Sequence, residues 1–215
     1  MKYVMSDIHG MYDKYIDMLK LINFSDEDEL YILGDIIDRG KDSMCIYKHI
    51  IQHSNIHMLK GNHELMYQEW VKQNLNFAYS DWKYNGGNNT KKSMYKEEVS
   101  FTEFYRFVYK LPIITVVDNF ILAHADVFTD RYTELLDLEG FIDFQDEEYV
   151  LWNRSNIGGA KYKDYQFVFG HTPVQHITGQ DKIYHINSSH YIDCGACFGG
   201  KLSCLRLDDM KEFYV

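Results

Sequence analysis

Five times along this chain a short apolar run stops abruptly at glycine, aspartate or histidine. Tyr3 to Met5 runs into Ser6-Asp7-Ile8-His9-Gly10, Leu30 to Leu33 into Gly34-Asp35-Ile36-Ile37-Asp38-Arg39-Gly40, and Ile56 to Leu59 leads to Gly61-Asn62-His63-Glu64. Phe120 to Ala123 meets His124-Ala125-Asp126, and Phe167 to Phe169 meets Gly170-His171-Thr172-Pro173. Runs of this length, rich in Val, Ile, Leu and Tyr, read as buried strands, and Leu202 to Leu207 reads as another. Between the early runs, Tyr12, Ile16, Leu19 and Ile22 recur at helical spacing, and a second helix starts at Asp42 or Ser43 and turns Ile46 and Ile50 inward.

A strand-helix-strand-helix-strand opening argues for an α/β layer structure. The later strands have no obvious helices between them and suggest a second, more antiparallel sheet. The expected fold class is thus mixed α/β: a central two-sheet β-sandwich of mixed strands flanked by helices. A chain of 215 residues suits a single domain over 1–215, and 46% hydrophobic residues, with 18 Tyr and 13 Phe, supply its core. The polar and aromatic stretch from about Phe77 to Lys110 contains "WKYNGGNNTKKS" and then a helical pattern through Phe101, Phe104, Tyr105 and Val108. It reads as a cap over one end of the sheets, with Tyr79, Trp82 and Tyr84 as candidates for a substrate groove.

A formal charge of −10 disfavours nucleic acid or anionic membranes as partners, since Lys91-Lys92 is the one local basic feature. Acidity does not exclude a phosphorylated substrate, because bound metal ions dominate the local charge of a site. The opening "MKYVMSDIHG" has no leader pattern, no apolar run approaches membrane-spanning length, and four unevenly spaced cysteines make no disulfide framework. The expected location is the cytoplasm.

Ligands of open α/β sheets sit beyond the carboxyl ends of the strands, so the five polar clusters should meet there. Their inventory suits two divalent ions. Asp7 and His9, two apart at an extended strand end, project to one side and chelate one ion. Asp35 has two oxygens to bridge it to a second ion, completed by the Asn62 amide oxygen and the imidazoles of His124 and His171. Mixed oxygen and nitrogen donors point to Mn²⁺, Fe or Zn²⁺ over Ca²⁺, with Mn²⁺ first. His63 points away from its neighbour Asn62 and is free for proton transfer, oriented by Asp38. Arg39 supplies a planar fork for phosphate oxygens.

Asp7-Ile8-His9-Gly10, Gly34 to Gly40 and Gly61 to Glu64 together resemble the signatures Asp-x-His-Gly, Gly-Asp-x-x-Asp-Arg-Gly and Gly-Asn-His-Glu of the phosphoprotein phosphatases, within the calcineurin-like metallophosphoesterases. The resemblance runs from Met5 to about Leu207. The short length, "HAD" at His124, "NGGNNT" at Asn85 to Thr90 and "GACFGGKL" at Gly195 to Leu202 look like the compact bacterial and bacteriophage branch. It implies Asp7, His9, Asp35, Asn62, His124 and His171 as metal ligands, His63 as general acid paired with Asp38, and Asn62 beside the bound phosphate. Arg39 and a later arginine would be phosphate clamps, and Arg154 in "LWNR" resembles the family's Trp-x-Arg element. The implied reaction is phosphomonoester hydrolysis by in-line attack of a hydroxide held between two metals.

The expected substrate is a phosphoserine or phosphothreonine protein or peptide, with phosphotyrosine as a further class. Dinucleoside polyphosphate hydrolases of the bis(5'-nucleosyl)-tetraphosphatase type share most motifs and resemble "GACFGGKLSCLRL". They typically lack the second aspartate and carry Gly-Asn-His-Asp, so Asp38 and Glu64 favour the phosphatase. A phosphodiesterase or nuclease would carry Gly-His-x-His where Gly170-His171-Thr172-Pro173 stands, and an inactive phosphoprotein-binding module would lack a ligand or His63. Outside these motifs, His49, His53 and His57 do not form a zinc stripe because a strand begins at Ile56. His176, His185 and His190 read as loop histidines, Cys194 and Cys197 as buried small hydrophobes, and Asp146-Glu147-Glu148 as a solvated face.

Overall fold

The computed structural model describes residues 1–73 and 82–215. β1 (Lys2–Met5), β2 (Glu29–Ile32) and β3 (Ile56–Met58) pair in parallel, joined by α1 (Tyr12–Leu21) and α2 (Ser43–Gln52). α3 (Asn62–Lys72) follows β3, and α4 (Asn88–Lys96) and α5 (Phe101–Tyr109) lead to β4 (Ile114–Val117) and β5 (Phe120–Ala123). Then come α6 (Leu138–Asp143), α7 (Glu147–Trp152), β6 (Gln166–Phe169), α8 (Val174–Thr178), β7 (Tyr184–Ile186), β8 (Ser189–Tyr191), β9 (Ser203–Arg206) and β10 (Lys211–Tyr214).

The first sheet runs β10-β9-β1-β2-β3 and the second β4-β5-β6-β8-β7. Each read strand is present. Both sheets are mixed, as expected, but the second is no more antiparallel than the first: β5, β6 and β8 are parallel, and antiparallel pairing is confined to its edges. α6 and α7 supply the crossover between β5 and β6, but their six-residue lengths are too short for periodicity to reveal.

Both faces of β1 are covered, which explains its unbroken apolar run. Tyr3 and Met5 pack outward with Ile32, Met58, Tyr15 of α1 and Ile46 of α2. Val4 points the other way, into a layer shared with Ile121, Phe167, Phe169 and Tyr191 of the second sheet. That layer joins the two sheets face to face, each fully buried side chain contributing roughly 1.5–3 kcal/mol. The carboxyl ends of β1, β2 and β3 consequently open on the same side as those of β5, β6 and β8. No helix among the described residues is long and apolar enough to cross a membrane.

Candidate active site

Asp7, His9, Asp35, Asp38, Arg39 and His171 have φ between 46° and 70°. They make up six of the twelve non-glycine residues with positive φ among the described residues, each conformation costing on the order of 1–3 kcal/mol. The chain therefore turns sharply straight after its strands. Asp7 and His9 do meet, with His9 Nε2 3.9 Å from Asp7 Oδ1, but through a left-handed turn and not along an extended strand.

The donor geometry is fixed from behind. His9 Nδ1 donates to the carbonyl of Ile37 at 2.8 Å and His124 Nδ1 to that of Leu33 at 2.7 Å. Each ring thus presents a bare Nε2 lone pair, both 3.6 Å from Asp35 Oδ2. Asn62 Oδ1 faces His124 Nε2 at 2.9 Å and His171 Nδ1 at 3.0 Å. Between Asn62 Oδ1 and His124 Nε2 two acceptors oppose each other with no proton to share, a contact that a cation resolves. Asp35 is almost fully buried, and burial together with the neighbouring Asp7 and Glu64 pushes its carboxyl well above the ordinary range. This donor set fits divalent metal. Among the described residues two clusters have ligand atoms within 4.8 Å of one another: His9, Asp35 and His63, and Asp35, His124 and His171. Asp35 belongs to both.

Asn62 and His63 diverge at the start of α3, as adjacent residues must. His63 Nδ1 donates to Asp38 Oδ2 at 2.7 Å, and its Nε2 accepts from Arg39 Nη2 at 3.1 Å. Arg39 also donates through Nη1 to His9 Nε2 at 2.5 Å, and its guanidinium lies 4.7 Å from the centre of the Phe198 ring. Burial first, then the charge of Arg39, hold His63 well below the usual imidazole range. Arg154 donates from Nε to His171 Nε2 at 2.9 Å. A cleft of 360 Å³ is bounded by Arg39, Asn62, His63, Asn85, Trp152, Arg154, His171, Pro173, His176 and Phe198.

The supporting roles of several residues escape sequence reasoning, including that of Glu64, which the motifs name without a role. Glu64 accepts from the amides of Asp35 (2.8 Å), Ile36 (3.1 Å) and Gly61 (3.0 Å), clasping two of the loops together. Ser6 Oγ donates to Asp7 Oδ2 at 2.5 Å, and the amide of His171 donates to the same oxygen at 2.8 Å, tying the two sheets' loops. Asp193 is buried close behind, raised by burial and by Asp7. It follows β8, so the strand-end rule that located the other clusters applies to it too.

Other readings change. His176 lies in α8 and lines the cleft, while His185 and His190 are paired across β7 and β8, not in loops. Cys194 is buried as expected, but Cys197 is half-buried and accepts from Arg39 Nη1 at 3.4 Å. The acidic run faces solvent as read, with Asp146 and Glu148 exposed, and in addition Asp146 caps α7 and the half-exposed Glu147 pairs with the buried Lys60 at 2.7 Å. Trp82 is buried and Tyr84 is 84% exposed away from the cleft lining, whereas Phe77 and Tyr79 lie outside the described residues. His49 and His53 stack within α2, and His57 pairs with Glu29 on the neighbouring strand.

The sequence profile of the calcineurin-like phosphoesterases matches residues 3–200. The chain belongs to that family. This phosphoesterase is 29% identical over 217 residues to serine/threonine-protein phosphatase 1 of Salmonella typhimurium, covering 95% of this chain and 91% of that protein. It is 27% identical to the asymmetrical bis(5'-nucleosyl)-tetraphosphatase PrpE of Bacillus cereus, covering 100% of this chain and 94% of that one. A candidate diadenosine tetraphosphatase of known structure superposes with a TM-score of 0.71 at 19% identity, covering 100% and 92% of the two chains, which shows the shared fold. Members of the family work at a dimetal centre, and the phosphoesterase carries candidate ligands for one. It is a hydrolase of phosphoesters.

Proposed function

We propose that the phosphoesterase is a cytoplasmic serine/threonine protein phosphatase, also able to take phosphotyrosine, that uses two Mn²⁺ ions. The observation that carries this reading is the buried His63–Asp38 pair, 2.7 Å apart, beside a cleft that Arg39 and Arg154 also line. Asp7, His9, Asp35, Asn62, His124 and His171 would hold the ions. When bound, such ions supply Lewis acidity toward phosphoryl oxygens and a nucleophile at neutral pH.

The chain's own residues do the rest. Arg39 and Arg154 bind the phosphoryl oxygens as planar forks and stabilise the charge that gathers on them. Asn62 lines the same cleft. His63, whose Nε2 is an acceptor for Arg39 in the free chain and must first take a proton, would pass that proton from Nε2 to the departing serine or threonine oxygen, while Asp38 stabilises the positive charge through Nδ1–H. The signatures containing Asp38 and Glu64 support a phosphoprotein over a dinucleotide, and the Salmonella relative supports it in the same direction.

Phosphate release by metal-stripped protein, before and after Mn²⁺ is restored, tests the reading with phosphoserine, phosphothreonine and phosphotyrosine peptides beside diadenosine tetraphosphate. Mn²⁺-dependent turnover of peptides is expected. A preference for the dinucleotide would replace the proposal with the tetraphosphatase activity of the Bacillus relative.

A further inference from the structure

We infer that Trp82 and Thr90 are positioning residues for the Asp38–His63 pair, so that the segment preceding and opening α4 sets how well a proton reaches the leaving group. The inference rests on the reading of His63 as general acid.

The Asp38 side chain is fully buried, so each of its oxygens needs donors. His63 Nδ1 serves Oδ2. Oδ1 is served by the Trp82 indole Nε1–H at 3.0 Å and by the Thr90 hydroxyl at 2.6 Å. The Thr90 hydroxyl also accepts from the Asp38 amide at 2.8 Å, gripping backbone and side chain together. That grip falls on a strained stretch, because Asp38 and Arg39 have consecutive φ values of 70° and 62°. Asn89 Nδ2 donates to the Arg39 carbonyl at 2.7 Å. Gly86 presses so closely that a Cβ there would lie 2.4 Å from the Arg39 nitrogen. One short stretch, residues 82–90, thus holds the turn that carries both the partner of His63 and a phosphate clamp.

Trp82 is itself immobilised, with its ring 4.6 Å from Trp70 and 5.2 Å from Tyr67. A rigid indole and a twice-bonded hydroxyl leave the Asp38 carboxylate one orientation. His63 inherits that orientation through the 2.7 Å bond.

The test uses Thr90→Val, which keeps the shape and deletes the hydroxyl, Trp82→Phe, which keeps a ring and deletes the N–H, and Thr90→Ser, which restores the hydroxyl. Each Mn²⁺-loaded variant is assayed on phenyl phosphate, whose poor leaving group needs a proton, and on 2,4-dinitrophenyl phosphate, which does not. Thr90→Val and Trp82→Phe should lower kcat on phenyl phosphate by on the order of tenfold to a hundredfold with KM nearly unchanged, and by less than about threefold on the dinitrophenyl ester. Thr90→Ser should recover activity to within about twofold, and Thr90→Val added to His63→Asn should cost nothing more. Equal losses on both esters, or a full additional loss in the His63→Asn background, would overturn the inference. If His63→Asn itself treats the two esters alike, the failure lies with the acid assignment instead.

Discussion

Glu64 Oε2 accepts a hydrogen bond from the backbone amide of Asp35 at 2.8 Å, so the residue shared by both candidate metal clusters is held by the first turn of α3. The same carboxylate takes the amides of Ile36 and Gly61. Glu64→Ala strands these buried donors, and at roughly 1–3 kcal/mol each, partly relieved by water and loop relaxation, a net loss of about 3 kcal/mol is expected. Urea unfolding of the variant measures it. A midpoint unchanged from the parent protein would show that the clasp is dispensable.

Asp35→Asn removes the one carboxylate common to both clusters. Metal content by mass spectrometry should drop at both positions together, with activity following it. Full occupancy in this variant would refute the bridging role.

His63→Asn discriminates two readings of the same imidazole. His63 lies within ligand distance of His9 and Asp35, yet its ring is bonded to Asp38 and Arg39. As a general acid it should cost on the order of 10² to 10⁴ in kcat on substrates with poor leaving groups while the metals stay. Loss of one metal equivalent would make it a ligand.

His190 gives stability a pH dependence away from the cleft. It lies between His185 Nδ1, at 2.7 Å, and Gln166 Oε1, at 2.9 Å, and burial followed by the charge of His185 lowers it to about 4. An unfolded histidine takes its proton near 6.5. Between those values the unfolded chain binds the extra proton, so this contribution is complete above about pH 6.5 and is lost as pH falls toward 4. Urea midpoints measured at pH 7.5 and pH 4.5 should lie closer together in His190→Gln than in the parent. Parallel shifts in both proteins would remove His190 from the account.

Much of this molecule follows from local pattern. The runs at Tyr3, Phe120 and Phe167 are buried almost throughout, so their apolar character is continuous, whereas those at Leu30 and Ile56 alternate buried and partly exposed positions, and each run ends in buried polar residues that turn toward one another. The residues at those ends read as candidate ligands in the sequence, and the fold brings Asp7, His9, Asp35, Asn62, His124 and His171 to one place.

What the tertiary structure alone decided is how these groups are held. Trp82 and Thr90 reach Asp38 across 44 and 52 residues, and the amide of His171 reaches Asp7 across 164. No periodicity encodes such bonds, because each depends on a loop conformation that the rest of the fold imposes. The left-handed turns at Asp7, His9, Asp35 and Asp38 are the clearest case: aspartate and histidine do not require positive φ, and only the surrounding hydrogen bonds make that strain stable. The parallel centre of the second sheet has the same origin, since the short helices α6 and α7 acquire their geometry from packing and not from propensity.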